Sequence, residues 1–533
     1  MKIVTVCSML HETPASHSAA RLFRGASVLG WTLDRLGRRE KISHLAVLCW
    51  QDQFPMVAPI AADHGTYCAV KPDRNAVPGL NGLNAAGRWC DGWRGGLLGA
   101  CAFDRGFFGP WLVEIQKELA ADALLLVDPS SGLIDPALID GLIDHANANS
   151  DLDFYFSQAA PGLSGVLIRP SLLAQLATAN LHPGALLAYR PDLPLRDPIA
   201  NRSCAPVPAV LARTTERFTL DSTRQIDRIA RATEPLNGEL ISTHSEQLLK
   251  LISKTPGAPL PREIVLELNT NRSTRPSYWP GQHMEIGRPH LSISMAHEIF
   301  AQLAKADDLR VTIAGVGDPL LHPEFLKIAK MAQEAGLSAI GIETDLVAIS
   351  PGLIDELMNS PIDIVSIFTP ALTAPSYEKV MGYDGLKESI GNIRRMMELR
   401  RPTPLIVPTF VKTKDNLGEM EAWYDHWLRS VNSAVIVGPS DYAGQIPDVA
   451  VAAMEPPCRR ACARLANRLT ILSNGNVVTC EQDILGRQSL GNVSEDSIES
   501  IWTKRMSAFR QDHAQGNWDK HPTCSKCREW HRP

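Results

Sequence analysis

The chain has 533 residues, more than one hydrophobic core usually supports, so we expect two or three domains. Its apolar fraction of 44% and charged fraction of 21% are ordinary for a folded protein, and a formal charge of -5 provides no basic surface for nucleic acid or anionic membranes. The sequence contains neither a long apolar leader nor a clean span of about twenty apolar residues. We therefore expect a cytoplasmic protein without nucleic-acid or membrane partners, and leave a protein or peptide partner open.

The first part of the chain, residues 1–213, alternates apolar runs with helical patterns such as "SVLGWTLDRLGR". The apolar runs are "KIVTV", "HLAVLCW", "ALLLVD", "DFYFS" and "GVLIRP". This alternation predicts an α/β domain with a largely parallel sheet. Residues 214–261 have proline-rich edges around a charged helical segment, which indicates a connector.

Residues 262–450 repeat a strand-like run and a helical pattern six times. The strand-like runs are "EIVLEL", "RVTIAG", "SAIGIE", "IDIVSIF", "PLIVPTF" and "SAVIVG". Six successive units predict an open, partial (β/α)6 barrel, in which ligands gather at the carboxyl ends of the strands. The segments "TNRSTRPSYWPG" and "GVGDP" both lie at such ends.

The loop-rich tail, residues 451–533, contains five of the eleven cysteines. Cys462 precedes the strand-like run "RLTIL", Cys480 ends the returning run "NVVTC", and Cys524 and Cys527 form a CxxC pair. Four thiolates from two separate elements suit zinc or an iron–sulfur cluster, and the residues alone do not separate these two. Cys458 could replace Cys462 as a ligand; we favour Cys462. We expect the six scattered cysteines nearer the N-terminus to be core residues.

Two segments of the tail, "CARLANRLTILSNGNVVTCEQDILGRQSLGNVSEDSIESIW" and "PTCSKCREW", carry a family resemblance. Their cysteine spacing, hairpin glycine and terminal CxxC resemble the SPASM domain of radical S-adenosylmethionine (SAM) enzymes. The resemblance implies one auxiliary 4Fe–4S cluster held by four cysteines, with zinc as the lesser alternative. The implied metal ligands are Cys462, Cys480, Cys524 and Cys527.

The barrel region contains "GVGDPLLHPEF", which resembles the GGEP motif of the radical SAM enzymes. The stretch "SYEKVMGYDGLKESIGNIRRM" resembles the part of that family that follows the fourth strand. The resemblance implies a cofactor-binding site for the methionyl amino group of SAM. Its residues would be Gly315, Gly317, Asp318 and Pro319.

The resembled family carries CxxxCxxC in the loop after its first barrel strand, where three thiolates hold a catalytic 4Fe–4S cluster. The corresponding positions here are Ser273, Ser277 and Pro280, and the barrel region contains no cysteine. Serine is a poor iron ligand and proline has no side-chain donor. We therefore expect the standard radical reaction to be absent, and SAM, without its iron anchor, to bind weakly if it binds.

The N-terminal segments "ARLFRGASVLGWTLDRLGR" and "DALLLVDPSSGLIDPALIDGLIDH" resemble GT-A (Rossmann-like) nucleotidyltransferases. That family binds a triphosphate on a glycine-rich loop and a metal on an aspartate after a later strand. Here the first loop has no convincing glycine-rich signature, and the alignment puts Ser130 at the metal position, with Asp128 out of register. Arg94 is a candidate phosphate contact, although a tight turn explains its surroundings equally well. We favour a retained fold without the chemistry.

The three-part architecture resembles the fused proteins called spiro-SPASM. Our leading hypothesis is an iron–sulfur protein of radical SAM/SPASM descent whose barrel has lost its catalytic cluster and whose auxiliary cluster serves structure or electron transfer. The alternatives are a nucleotidyltransferase acting on a sugar or related phosphate through the N-terminal domain, and a barrel that binds SAM or a peptide without radical chemistry. The sequence identifies no catalytic residue, so enzymatic activity stays open.

Overall fold

The computed structural model describes residues 1–13, 17–72, 77–93, 100–193, 197–399, 401–452, 455–456 and 458–532. The chain divides into two compact units, which we describe separately: unit 1, Met1–Gly257, and unit 2, Ala258–Pro533. In the described ranges, no helix combines the length and apolar character that crossing a membrane requires.

Unit 1 is built on a seven-stranded sheet with the order β5-β4-β1-β6-β8-β7-β9. The strands of this unit are β1 Ile3–Ser8, β2 Leu22–Phe23, β3 Ala26–Ser27, β4 His44–Trp50, β5 Tyr67–Lys71, β6 Ala123–Val127, β7 Phe154–Ser157, β8 Val166–Ile168 and β9 Cys204–Ala205. Strands β5, β4, β1 and β6 are parallel, whereas β8 is antiparallel to both of its neighbours. The predicted α/β fold and its five strands are confirmed. Two strands of this sheet were missed: β5 is short and mostly half-buried, and β9 has only two residues, so neither gives a continuous apolar signal.

The helices of unit 1 cover both faces of this sheet. They are α1 Val28–Gly37, α2 Phe54–Asp63, α3 Pro78–Gly87, α4 Gly109–Glu118, α5 Pro136–Ala148, α6 Pro170–Ala179, α7 Pro183–Leu187, α8 Ala209–Arg213, α9 Thr223–Thr233 and α10 Ser245–Ile252, with 3-10 turns at Ala102–Asp104 and Glu234–Ser242. Alternate residues of β1 enter different cores, with Ile3 and Cys7 on one side and Val4 and Val6 on the other. Because the central strands are buried on both faces, their sequences are unbroken apolar runs.

Residues 214–257, predicted as part of a connector, are packed into unit 1 instead. Ile226 and Ile229 of α9 and Leu248 of α10 join a buried cluster with Phe23 and Leu133. Asp227 and Arg231 are exposed on α9, since an amphipathic helix can bury one stripe and leave the rest polar, whereas Arg228 is buried and paired with Glu216. The division between the two compact units falls after Gly257.

Unit 2 is built on a nine-stranded sheet with the order β15-β14-β13-β12-β11-β10-β16-β17-β18. Its strands are β10 Glu263–Leu266, β11 Arg310–Ile313, β12 Ala339–Thr344, β13 Ile364–Phe368, β14 Leu405–Val411, β15 Val435–Val437, β16 Arg468–Ile471, β17 Asn476–Val478 and β18 Gly491–Asn492. Strands β10 to β15 are parallel neighbours in chain order, which confirms the six predicted β/α units.

The first strand of the tail, β16, pairs in parallel with β10. Leu469 and Ile471 continue the apolar face of Ile264 and Leu266 in the same core. The hairpin of β16 and β17 therefore extends the barrel sheet.

Most helices of unit 2 contribute side chains to the core on the outer face of the sheet. The helices are α11 Pro280–His283, α12 Ile293–Leu303, α13 Phe325–Glu334, α14 Pro351–Met358, α15 Ala374–Met381, α16 Leu386–Glu398, α17 Met420–Val431, α18 Ala463–Asn467, α19 Ile498–Ser500, α20 Met506–Ala514 and α21 Pro522–Lys526. A π-helix spans Ile501–Arg505, and 3-10 turns span Pro319–Leu321, Leu417–Glu419 and Trp518–Lys520.

The two faces of the unit 2 sheet have opposite chemistry. The outward residues are apolar and belong to one core, as Val311, Ile342 and Ile367 illustrate. Their neighbours in the strands point inward and are largely polar: Glu263, Arg310, Thr312, Glu343, Ser366, Thr409, Arg468 and Thr470. A parallel sheet that is packed on both faces is normally apolar on both, so the inner face differs from an ordinary core.

Candidate metal centre and barrel mouth

The tail brings four cysteine thiols within electrostatic reach of one another. Cys462 precedes α18, Cys480 follows β17, Cys524 lies in α21 and Cys527 follows it. Burial, together with the neighbouring thiols, raises the pKa of Cys524 to about 12. Burial also raises the pKa of Cys527 to about 11, with a smaller contribution from Cys462. Crowded, buried thiols stay protonated unless a metal holds them as thiolates, so this donor set suits a metal centre.

The CxxC pair forms a compact turn. The backbone N–H of Cys527 donates to the carbonyl oxygen of Cys524 at 3.2 Å. The thiol sulfur of Cys527 accepts the backbone N–H of Glu529 at 3.3 Å. An N–H donor of this kind stabilises a metal-bound thiolate.

Positive charge is fixed next to the thiols by a buried network of ion pairs. The guanidinium of Arg464 lies 3.1 Å from the carboxylate of Glu481, and that of Arg468 lies 2.9 Å from it. Burial opposes ionisation of Glu481, but the two arginines outweigh burial and lower the pKa of its carboxyl to about 2. The carboxylate thus holds Arg464 in a place where its charge favours the thiolate form of Cys527.

Two further side chains have buried N–H donors without a partner in the described residues. Arg459 donates through Nη2 to the carbonyl oxygen of Cys524 at 2.6 Å, and its Nε is unsatisfied. His513 accepts the backbone N–H of Cys462 at Nδ1 at 3.4 Å, and its Nε2 is unsatisfied. Thiolate and sulfide sulfurs accept hydrogen bonds of this kind, so the surroundings of the four cysteines fit an iron–sulfur cluster.

Cys458 is exposed, whereas the other four tail cysteines are buried or half-buried. Within the ranges the structure describes, no three Cys, His, Asp or Glu side chains converge closely enough to hold a metal ion, so the four thiols would have to move closer together to bind a cluster.

The loop after β10 carries the three positions that the family resemblance assigns to a catalytic cluster. Ser273 and Ser277 are half-buried, and Pro280 is buried at the start of α11. The hydroxyl of Ser277 has no hydrogen-bond partner among the described residues. Two hydroxyls and a proline provide no thiolate, so these residues do not fit an iron–sulfur cluster.

A buried ion pair lies in this loop at the barrel mouth. Arg272 donates from Nε to Oδ2 of Asp345 at 2.7 Å and from Nη2 to Oδ1. The hydroxyl of Thr274 donates to the same carboxylate. The Arg272 guanidinium stacks 4.1 Å from the ring centroid of Trp279 and 5.7 Å from that of Phe368. Sequence reasoning missed this pair because no motif joins residues 73 positions apart.

The glycines of the "GVGDP" segment pack closely against the end of β10. A side chain at Gly315 would place its Cβ 2.6 Å from Cγ of Glu267, and one at Gly317 would collide with the backbone of Asn269. Glu267 is also bound by Arg288 through two hydrogen bonds of 2.7 Å. These contacts alone account for both glycines.

Asp318 lies at the centre of the same turn, and Pro319 begins the 3-10 turn after it. The Asp318 carboxylate accepts hydrogen bonds from Leu320 N–H, Thr344 hydroxyl and Asp345 N–H at 3.0, 2.7 and 2.9 Å. Burial and then the charge of Asp345 raise the pKa of Asp318 to about 6. The carboxylate therefore links the ends of β11 and β12.

Unit 1 holds a second polar cluster, at the point where the strand order reverses between β1 and β6. His11 Nε2 and Arg105 Nη1 each lie 3.7 Å from Oδ2 of Asp128. The same guanidinium lies 3.5 Å from Asp221. Ligands of open α/β sheets bind at this kind of position. His11, Arg105 and Asp221 belong to no motif and were not predicted.

The structure places Asp128, and not Ser130, in this cluster. Ser130 is 1% exposed, and its N–H and hydroxyl donate to Oδ1 of Asp128 at 2.8 and 2.5 Å. Ser130 therefore positions the aspartate. Arg94, the candidate phosphate contact, lies outside the described residues.

The structure is a two-unit α/β chain whose tail brings cysteine thiols near one another. Residues 462–528 match the SPASM family model, described as an iron-sulfur cluster-binding domain. The chain therefore carries a SPASM iron–sulfur domain, as the sequence predicted.

A relative in Treponema pallidum (strain Nichols), an uncharacterized protein, is 23% identical over 235 residues, which are 42% of this chain and 64% of the relative. The chain thus spans less than two thirds of that protein.

Three solved structures illustrate the structural similarities. BtrN in complex with AdoMet and 2-DOIA is 17% identical with a TM-score of 0.36, over 50% of this chain and 93% of BtrN. Streptococcus suis SuiB bound to its precursor peptide SuiA is 13% identical with a TM-score of 0.42, over 51% of this chain and 71% of SuiB. A cytidylyltransferase from Leptospira borgpetersenii is 15% identical with a TM-score of 0.35, over 48% of this chain and 93% of the enzyme.

Proposed function

We propose that the protein binds one auxiliary 4Fe–4S cluster in its tail and does not perform the standard radical SAM reaction. The cluster ligands would be Cys462, Cys480, Cys524 and Cys527. When bound, such a cluster supplies a structural cross-link or a one-electron centre.

The observation that carries the second half of this proposal is the ion pair between Arg272 and Asp345. It places a guanidinium and a carboxylate at the mouth of the barrel, in a loop that offers no thiolate. Reductive cleavage of SAM needs an electron delivered by a cluster at this loop, and the chain has no other cysteine between residues 204 and 458 to hold one.

The surroundings of the tail cysteines support the first half. Arg464 and the unsatisfied donors of Arg459 and His513 lie next to the thiols, and each would stabilise an anionic sulfur centre. Cys462 is preferred to Cys458, because Cys462 lies among the other thiols while Cys458 is exposed.

The test is the iron, sulfide and zinc content of the full chain purified without oxygen. We expect about four irons and four sulfides per chain with a broad absorption near 400 nm, and no 5′-deoxyadenosine after dithionite and SAM are added. About eight irons would show a second cluster and restore radical chemistry. One zinc without iron would contradict the cluster and make the tail a zinc-stabilised structure.

A second candidate function is nucleotidyl transfer to a sugar or related phosphate by unit 1. The observation that favours it is the pair of carboxylates, Asp128 and Asp221, at the strand-order reversal beside Arg105. Two carboxylates in such a crevice provide oxygen ligands for a divalent metal. The test is calorimetry of the full chain with each common nucleoside triphosphate and Mg²⁺. Loss of binding in Asp128→Asn would support transfer, and no binding of any triphosphate by the wild type would end this candidate.

A further inference from the structure

The inner face of the unit 2 sheet has two levels of paired charges. At the lower level, Glu263 bonds Arg310 at 2.7 Å and lies 3.2 Å from Arg468, all at the first residues of their strands. At the upper level, Arg272 bonds Asp345 just beyond the end of β12. Each of these carboxylates is thus neutralised by an arginine within the protein.

Glu343 lies between these two levels and has no such partner. It is the inward residue of β12 two positions before Asp345, and it is opposite Ser366 of β13. Its carboxylate makes no ion pair or hydrogen bond within the described part of the chain. It is half-buried, although it points into the concave face, so solvent reaches part of its side chain.

The walls around Glu343 combine charge with aromatic surface. Arg468 and Arg272 lie below and above it, close enough to act on the pKa of its carboxyl, which burial and Glu481 raise. Tyr442 faces the same space, since its phenol is influenced by both Arg272 and Glu343. The Tyr442 ring meets that of Trp279 edge-on at 6.3 Å.

The backbone that presents Tyr442 is unusual. Tyr442, Ala443 and Gly444 are consecutive left-handed residues, with φ of 49°, 57° and 78°. Non-glycine residues adopt this conformation at an energetic penalty, and it persists where the surrounding structure requires a particular side-chain position. The turn aims the Tyr442 ring at Trp279, and the tyrosine hydroxyl forms no hydrogen bond in the part of the chain that is described.

We infer that the lumen of unit 2 is a binding site for a small ligand that carries a protonated amine on an apolar or aromatic group. The Glu343 carboxylate would accept the amine N–H groups, and Tyr442 and Trp279 would cover the apolar part. An ammonium group can form the charge-assisted hydrogen bonds that an unpaired, partly desolvated carboxylate lacks. Aromatic faces attract the same cation. The site does not depend on the tail cysteines, so its test is separate from that of the cluster.

The experiment is calorimetry of the full chain with three probes matched in ring and chain length: 2-phenylethylamine, 2-phenylethanol and 3-phenylpropanoate. We expect the amine to bind at least about 10-fold more tightly than the alcohol, and the carboxylate to bind least tightly. Equal affinity for amine and alcohol, or no binding of the amine, would overturn the inference.

Variants assign the effect to the carboxylate. Glu343→Gln keeps the shape and removes the charge, and should weaken amine binding about 10- to 100-fold while leaving the alcohol unchanged. Tyr442→Phe should weaken it less. The control is Glu356→Gln, at an exposed position of α14, which should have no effect. An amine affinity unchanged in Glu343→Gln would also overturn the inference.

A chemical measurement tests the open lumen without relying on the probes. Carbodiimide coupling to glycine ethyl ester, mapped by mass spectrometry, should label Glu343 well before the arginine-bound Glu263, which is 2% exposed. Excess 2-phenylethylamine is itself a nucleophile, so protection is measured with the tertiary amine N,N-dimethyl-2-phenylethylamine. Faster labelling of Glu263 than of Glu343 would show that the lumen is closed and would overturn the site.

Discussion

The carboxylate of Asp345, 1% exposed, is bound bidentately by the guanidinium of Arg272, 7% exposed, across the mouth of unit 2. The pair joins the loop after β10 to the end of β12 and is covered by the ring of Trp279. The barrel mouth is therefore organised by an ion pair made entirely of protein side chains. Its stability should not depend on iron.

Breaking this pair should destabilise unit 2 strongly. Asp345→Asn leaves the Arg272 charge buried without its counter-ion, so we expect the free energy of unfolding to fall by about 3–5 kcal/mol. Hydrogen exchange of the β12 and β13 amides measures the effect within unit 2.

The matched control is Asp355→Asn, which removes the exposed partner of Arg395, whose side chain is 46% exposed. Solvent screens this pair, so the loss of stability should be much smaller than in Asp345→Asn. Similar losses in both variants would show that the Arg272 pair is not specially important. Iron content should be unchanged in both.

Replacing single tail cysteines should distinguish the cluster ligands from Cys458, which we expect not to bind the cluster. Cys524→Ala removes a buried thiol from the group of four, and we expect loss of most bound iron and of the absorption near 400 nm. Cys458→Ala removes an exposed thiol and should retain both. Full iron retention in Cys524→Ala, or iron loss in Cys458→Ala, would reassign the ligands.

Much of the fold was predictable because it depends on local periodicity. The strands β10 to β15 each show an apolar run, and helical patterns lie between these runs. Such runs indicate which residues within a short stretch are buried. The parallel pairing of β16 with β10 joins residues about 200 positions apart, and no local pattern specifies it. The same limit explains why α9 was assigned to a connector.

The candidate site divides in the same way. The tail cysteines were found because thiol spacing and a hairpin are visible in the sequence, whereas Arg272, Asp345 and Glu343 are ordinary residue types at ordinary positions. These residues come together only in the folded chain, where the ends of neighbouring strands lie side by side. The sequence assigned Gly315 and Gly317 to a ligand-binding site, whereas in the structure close packing against Glu267 and Asn269 explains both glycines.

The buried Asp318 should give unit 2 a pH dependence of a particular sign. Burial and the charge of Asp345 raise its pKa from 3.8 to about 6 in the folded chain. The folded state thus binds the proton more tightly than the unfolded state. Its contribution to stability is fully present below about pH 4 and is lost as the pH rises through about 6.

The measurement is the difference in unfolding free energy between wild type and Asp318→Asn from pH 4 to 7. Wild type should lose up to about 3 kcal/mol relative to the variant over this range. A difference that does not change with pH would mean that the Asp318 pKa is the same in both states.

Gly317 tests whether the "GVGDP" turn serves packing or a ligand. In Gly317→Ala the new Cβ would lie 2.8 Å from the carbonyl carbon of Asn269, and backbone cannot move aside as a flexible side chain can. We expect a loss of about 1–3 kcal/mol in the stability of unit 2. The control is Gly391→Ala in the middle of α16, where a Cβ meets nothing within 4 Å and should raise stability by about 0.5–1 kcal/mol. Thermal unfolding and SAM calorimetry of both variants decide between the roles. A Gly317→Ala protein that kept wild-type stability but lost measurable SAM binding would assign the glycine to a ligand. The added methyl group would then obstruct the ligand and not the packing against Asn269.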